Sequence, residues 1–144
     1  MKSAAGDACP CGRADGRRGR PLPYAQCCGR WIDADAAAPD AESLMRSRYT
    51  AFVRGDARYL LATWHAGTRP AHLQLDPAVK WLGLEVRSHR VVVAVHAMVE
   101  FVARSRLRGR ADRLHETSSF VREADGRWYY VDGVIAGEPP AAPG

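Results

Sequence analysis

Residues 113–134 read Arg113-Leu114-His115-Glu116-Thr117-Ser118-Ser119-Phe120-Val121-Arg122-Glu123-Ala124-Asp125-Gly126-Arg127-Trp128-Tyr129-Tyr130-Val131-Asp132-Gly133-Val134. Two runs rich in β-branched and aromatic residues flank Asp125-Gly126, a dipeptide strongly favoured in tight hairpin turns. The stretch predicts two antiparallel strands, over 113–123 and 127–134. Two further strands are expected over 82–87 and 91–106, the second long and bent, with 107–112 as the loop of the preceding hairpin. Upstream the apolar period changes. Asp40 is a helix N-cap with Glu42 in the first turn, and Met45, Tyr49 and Val53 form a stripe with Leu44 and Phe52 beside it. Gly55 is a C-terminal stop. Asp56 caps a second helix that buries Tyr59, Leu60 and Trp64 and ends at Gly67 and Pro70. Asp76-Pro77 opens a short helical turn. Helices followed by an antiparallel meander give an α+β fold.

The chain has 144 residues, 47% of them hydrophobic and 26% charged, with net charge +5. That suits one ordinary domain with a small appendage. No apolar run is long enough to span a bilayer, and the first residues lack the apolar core of a signal peptide, so a cytoplasmic protein is expected. The charge is concentrated at one end. Residues 1–30 carry six basic and two acidic side chains, and the remainder 15 and 14. The main domain is nearly neutral; the appendage is basic.

All four cysteines, Cys9, Cys11, Cys27 and Cys28, lie in that basic segment. A reducing compartment disfavours disulfides, and adjacent Cys27 and Cys28 are poorly placed to bridge each other. Two pairs converging on one tetrahedral cation fit better, and four thiolates satisfy zinc, with iron as the alternative. Cys9-Pro10-Cys11-Gly12 is a tight turn in which Gly12 takes positive φ, and Gly29 offers the same exit after Cys27-Cys28. Zn²⁺ with four thiolates carries −2, which nearby arginines offset. The set leaves no open coordination position, so the site is expected to be structural.

These residues resemble a known pattern. Cys9-Pro10-Cys11-Gly12 followed by Pro23-Tyr24-Ala25-Gln26-Cys27-Cys28-Gly29 is similar to the SEC-C motif, the zinc-binding tail of the SecA translocation ATPase. Leu44-Met45-Arg46-Ser47-Arg48-Tyr49-Thr50-Ala51-Phe52, Tyr59-Leu60-Leu61-Ala62-Thr63-Trp64-His65, Trp81-Leu82-Gly83-Leu84, Leu114-His115-Glu116 and 126–133 resemble the uncharacterised YchJ-like family. The resemblance implies a SEC-C-like knuckle over 1–32, a linker over 33–37, an NTF2-like domain over 38–135 whose curved sheet wraps the helices as a cone, and a flexible tail over 136–144. The Arg-rich link from Arg13 to Leu22 is longer than that family's usual one.

Three functional classes follow. SEC-C knuckles act as docking modules, so the resemblance implies a protein or ribonucleoprotein partner, met by a basic surface of Arg13, Arg17, Arg18, Arg20 and Arg30. NTF2-like cones hold pockets, and Arg46, Tyr49, Trp64, His65, Trp81, Phe101, His115, Glu116, Trp128 and Tyr130 are candidates to line one. His115 and Glu116 are adjacent on a strand and therefore point to opposite faces. No nucleophile elbow, phosphate loop or HExxH occurs, so no catalytic residue is assigned. The third class is direct RNA or DNA binding by the arginine-rich loops, among them Arg104, Arg106, Arg108, Arg110 and Arg113, although no aromatic residues interleave them. The resemblance also implies possible dimerisation through the sheet.

Overall fold

The computed structural model describes residues 6–16 and 19–136. Arg17, Arg18 and all but the first residue of the expected tail lie outside the described residues. Three helices precede one four-stranded sheet: α1 (Gly29–Ile32), α2 (Ala41–Arg54), α3 (Ala57–Ala62), then β1 (Val79–Val93), β2 (His96–Leu107), β3 (Arg110–Arg122) and β4 (Trp128–Ile135). The strands form an antiparallel meander in the order β1-β2-β3-β4. The expected α+β class is what the chain adopts.

Both main helices begin at the predicted aspartates. Asp40 accepts a hydrogen bond from the Ser43 amide at 2.7 Å, and Asp56 accepts one from the Tyr59 amide at 3.0 Å. Gly55 closes α2 in the left-handed region at φ 71°. α2 is the centre of the molecule, packed against α1, α3, β1, β2 and β4. Its apolar stripe meets the inward side chains of β2, where Ala97, Val99, Phe101 and Ala103 alternate into the core. Phe120 and Trp128 extend that core onto β3 and β4.

Several boundaries differ from expectation. The predicted strand over 91–106 is two strands. Val91–Val93 ends β1, Ala94 and Val95 form the turn, and β2 starts at His96. Neither turn residue is Gly, Asn, Asp or Pro, so local chemistry gave no mark. The expected loop over 107–112 shrinks to Arg108-Gly109, both at positive φ, as a tight hairpin requires. Asp76-Pro77 opens a single turn, closed by the Val79 amide donating to the Asp76 carbonyl at 3.2 Å, and no helix continues from it. Asp76 Oδ1 accepts from the Ala78 amide at 2.9 Å, and the chain enters β1 one residue later. The second helix stops at Ala62, before Gly67, because Trp64 forms a bridge with Tyr130 of β4. Register shifts interrupt β1 at Trp81/Gly83, Val86/Ser88 and Val91/Val93.

Candidate metal centre

Residues 7–15 and 20–24 pair with each other. The Cys9 amide donates to the Leu22 carbonyl at 2.9 Å, Leu22 to Arg13 at 2.9 Å, and Asp15 to Arg20 at 2.9 Å. This short antiparallel arm brings the two described ends of the Arg-rich link side by side and returns the chain beside Cys9. A single 3-10 turn, Tyr24–Gln26, then delivers Cys27 and Cys28 to the first cysteine pair, and α1 leads away.

The four sulfur atoms lie within 4.8 Å of one another. Cys11 Sγ and Cys27 Sγ are 3.6 Å apart, and none of the four forms a disulfide. Four thiolates at about 2.3 Å from a tetrahedral ion would sit about 3.8 Å apart. The cage therefore has the size and donor chemistry of a four-thiolate metal site. Its cysteines are at most 4% exposed, which leaves no side open to solvent.

Crowding sets the thiols against each other. Hydrogen bonds from its neighbours, Cys11 first, hold the Cys9 thiol far below the ordinary cysteine range. Cys11 is lowered to about 7 by its hydrogen bond with Cys27. Cys27 and Cys28 are pushed up, in both cases chiefly by Cys11. Four buried sulfurs that share protons cannot all become thiolates unless a cation replaces those protons.

Groups outside the cage steady it. Thr50 on α2 donates to Cys28 Sγ at 3.3 Å and lies 3.7 Å from Cys9 Sγ. The Arg13 amide, placed by Gly12 at φ 75°, donates to Cys11 Sγ at 3.5 Å. Arg46 reaches across from α2 to the Cys11 carbonyl at 3.1 Å while pairing with Glu42 at 2.9 Å. Gly29 differs from its expected role. It is helical, and it is small because a Cβ there would meet the Tyr24 carbonyl oxygen at 2.8 Å.

The five proposed docking arginines separate. Arg13 is turned inward, donating to Ser43 at 2.9 Å and pairing with Glu42. Arg30 donates to the Cys27 carbonyl at 3.1 Å and stacks over Trp31. Arg20 is exposed. Arg17 and Arg18 are not among the described residues. On the main domain, Arg104, Arg106, Arg108, Arg110 and Arg113 are all exposed around the β2–β3 hairpin, with Arg104 directly opposite Arg113.

The proposed pocket residues also separate. A cavity of about 290 Å³ lies between α2 and the sheet, and Tyr49, Trp64, Trp81, Phe101, Glu116 and Tyr130 line it. The other four candidates do not. Arg46 belongs to the knuckle, as described. His65 turns to Glu123, 3.3 Å away. His115 lies on the outer face of the sheet, bonded to Glu100 at 2.7 Å, because neighbouring strand residues face opposite ways. Trp128 lines a separate cavity, with Trp31, Asp35 and Arg127. Glu116 takes the Ser118 hydroxyl at 2.6 Å.

Sequence reasoning missed Thr50, Ser43 and Arg48. Their spacing along α2, with Ser47, reads as a polar solvent face. All four are buried, because the knuckle and α3 cover the side of α2 that the sheet does not. Their small size was the available signal: Ser43, Ser47 and Thr50 recur at three- and four-residue intervals.

Residues 40–133 match the model of the family described as YchJ, middle NTF2-like domain. The chain belongs to the YchJ family. UPF0225 proteins of Polaromonas sp. and Polaromonas naphthalenivorans are 66% and 60% identical to this YchJ-family chain, over 89% and 87% of it and 93% and 95% of their own lengths. It is also similar to two solved SEC-C motif containing proteins. The one from Rhodopseudomonas palustris is 31% identical with TM-score 0.73, covering 89% of this chain and 98% of its own. The one from Psychrobacter arcticus is 30% identical with TM-score 0.74, covering 94% and 86%. Among the described residues no helix is long and apolar enough to cross a membrane.

Proposed function

We propose that this chain is a zinc-binding docking protein. Zinc in the four-cysteine cage clasps the knuckle to α2, and the knuckle's arm meets a protein or ribonucleoprotein partner. The observation that carries this reading is the closed cage itself: four buried sulfurs within 4.8 Å of one another, hydrogen-bonded from the central helix. A closed site of this kind shapes a surface rather than performing chemistry. Likeness to SEC-C proteins supports docking as the use of that surface. Arg20 and Arg30 are exposed cations of the knuckle through which it would act.

The experiment is affinity purification of wild type beside Cys27→Ser from native lysate, reading metal, protein and RNA together. Wild type is expected to carry one zinc ion per chain and a defined partner, and Cys27→Ser to lose both. Unchanged metal content in Cys27→Ser would refute the site. Iron in the wild type would replace zinc as the metal.

Direct nucleic-acid binding is a second reading, favoured by the like charges of Arg104 and Arg113 placed opposite each other. Such a pairing is unfavourable alone and is relieved by a phosphate-bearing ligand. Binding to RNA or DNA that falls steeply with salt and weakens in Arg104→Ser would support it. A salt-independent interaction would exclude it.

A further inference from the structure

The cavity between α2 and the sheet holds a buried cation that forms no ion pair among the described residues. Arg48 is 5% exposed. Its Nη1 donates to the Leu60 carbonyl and the Thr63 hydroxyl, both at 2.7 Å. Its guanidinium carbon stands 4.5 Å from the Tyr130 ring centre and 5.1 Å from that of Trp64. No carboxylate among the described residues lies within ion-pair distance of it. Burial pulls its pKa down to about 10, against smaller raising effects of Tyr130, Tyr59 and Glu116. Beside it the Trp64 indole Nε1 is buried with no acceptor. Trp64 thus brings an unpartnered donor to the cavity wall beside an arginine whose Nη1 is satisfied by a carbonyl and a hydroxyl but which forms no ion pair.

The rest of the wall is apolar and aromatic, including Tyr49, Phe52, Trp81 and Phe101. The cavity's volume, about 290 Å³, is at the lower end of the range for small-molecule sites. Its one acidic lining residue is Glu116. That carboxylate is folded over Gly133, where a Cβ would meet it, and accepts the Ser118 hydroxyl. Glu116 therefore acts on Arg48 through space without forming an ion pair, which leaves the guanidinium's direct contact to an incoming group. It also sets a limit, since a second negative charge in so small a cavity would face Glu116.

We propose that this cavity binds a small monocarboxylate with an apolar body about the size of one ring, its acid accepting from Arg48 and Trp64. The inference is independent of the metal-dependent docking reading.

The test uses the full-length, metal-loaded protein. Phenylacetate, benzoate and 4-methylpentanoate are the probes, with phenylacetamide and phenethylamine as neutral and cationic counterparts. Saturation-transfer NMR and tryptophan fluorescence report binding. At least one acid is expected to saturate the site and to bind about tenfold more tightly than the amide, as loss of a charge-assisted hydrogen bond requires. Trp64→Phe keeps the ring and removes the donor, and should weaken the acid several-fold while leaving the amide unchanged. Arg48→Lys should weaken it further. Because Arg48 also holds Leu60 and Thr63, circular dichroism must confirm that this variant folds, and Trp64→Phe carries the test if it does not. Failure of all three acids to bind, equal binding of acid and amide, or preference for the amine would overturn the proposal.

Discussion

Thr50 donates its hydroxyl to Cys28 Sγ at 3.3 Å, across 22 residues of sequence. The bond joins the middle of the central helix to the four-cysteine cage. A donor to a ligating sulfur spreads the thiolate's charge and fixes its direction. Thr50→Val keeps the shape and removes the donor. Metal affinity should fall about 10- to 100-fold, read by competition with a chromophoric chelator. Unchanged affinity would show that the bond contributes nothing to the cage.

Gly29 lies where the chain leaves the cage. A methyl group there would come within 2.8 Å of the Tyr24 carbonyl oxygen and 3.0 Å of its ring. The obstructing atom is backbone and cannot swing aside. Gly29→Ala should therefore destabilise the metal-loaded protein by about 1–3 kcal/mol, the usual cost of overpacking. Thermal melts in the presence of metal measure it.

The α2 N-cap is a simpler case. Asp40 receives the Ser43 amide, and the Ser43 side chain in turn receives Arg13. Asp40→Ala should cost about 1 kcal/mol, while Asp40→Asn should recover most of that. Denaturant unfolding of the three proteins decides it.

On the outer face of the sheet, the His115 hydrogen bond holds the Glu100 carboxyl below the usual glutamate range. Its folded-state pKa is thus lower than its unfolded value. The resulting stabilisation is present above the unfolded pKa, about 4.3, and disappears as pH falls through the lower folded value. A carbon-detected NMR titration should find Glu100 titrating below the ordinary glutamate value. His115→Ala should return it towards that value.

Much of the fold was legible because its punctuation is local. Asp40, Gly55, Asp56 and Asp125-Gly126 each act within a few residues, and each marks a boundary close to the observed one. The four cysteines were legible as a cluster for the same reason, since their spacing announces convergence. The β1–β2 turn was hidden because Ala94-Val95 carries no turn chemistry and is held by its flanking strands. Likewise, Arg48 looks like a surface residue until α3 and β4 close over it. Burial on two sides of one helix is a tertiary property, and a single amphipathic stripe cannot express it. His65 and Trp128 fell outside the cavity because composition names aromatic and polar groups without giving their direction.

The interruptions in β1 have a consequence for how copies of the chain meet. β1 is an edge strand of 15 residues, and Leu82, Val91, Val92 and Val93 on it are exposed. A straight, apolar edge of that length would recruit another strand and grow into fibres. The breaks at Trp81/Gly83, Val86/Ser88 and Val91/Val93 divide its free hydrogen-bonding row into short lengths, and exposed Lys80 and Arg90 and the Glu85–Arg87 ion pair place charged groups along it. Each extra residue that bends the strand thus guards solubility. Removing Leu82 or Val92 to restore a regular ladder should make the protein more regular in pairing and more prone to aggregate.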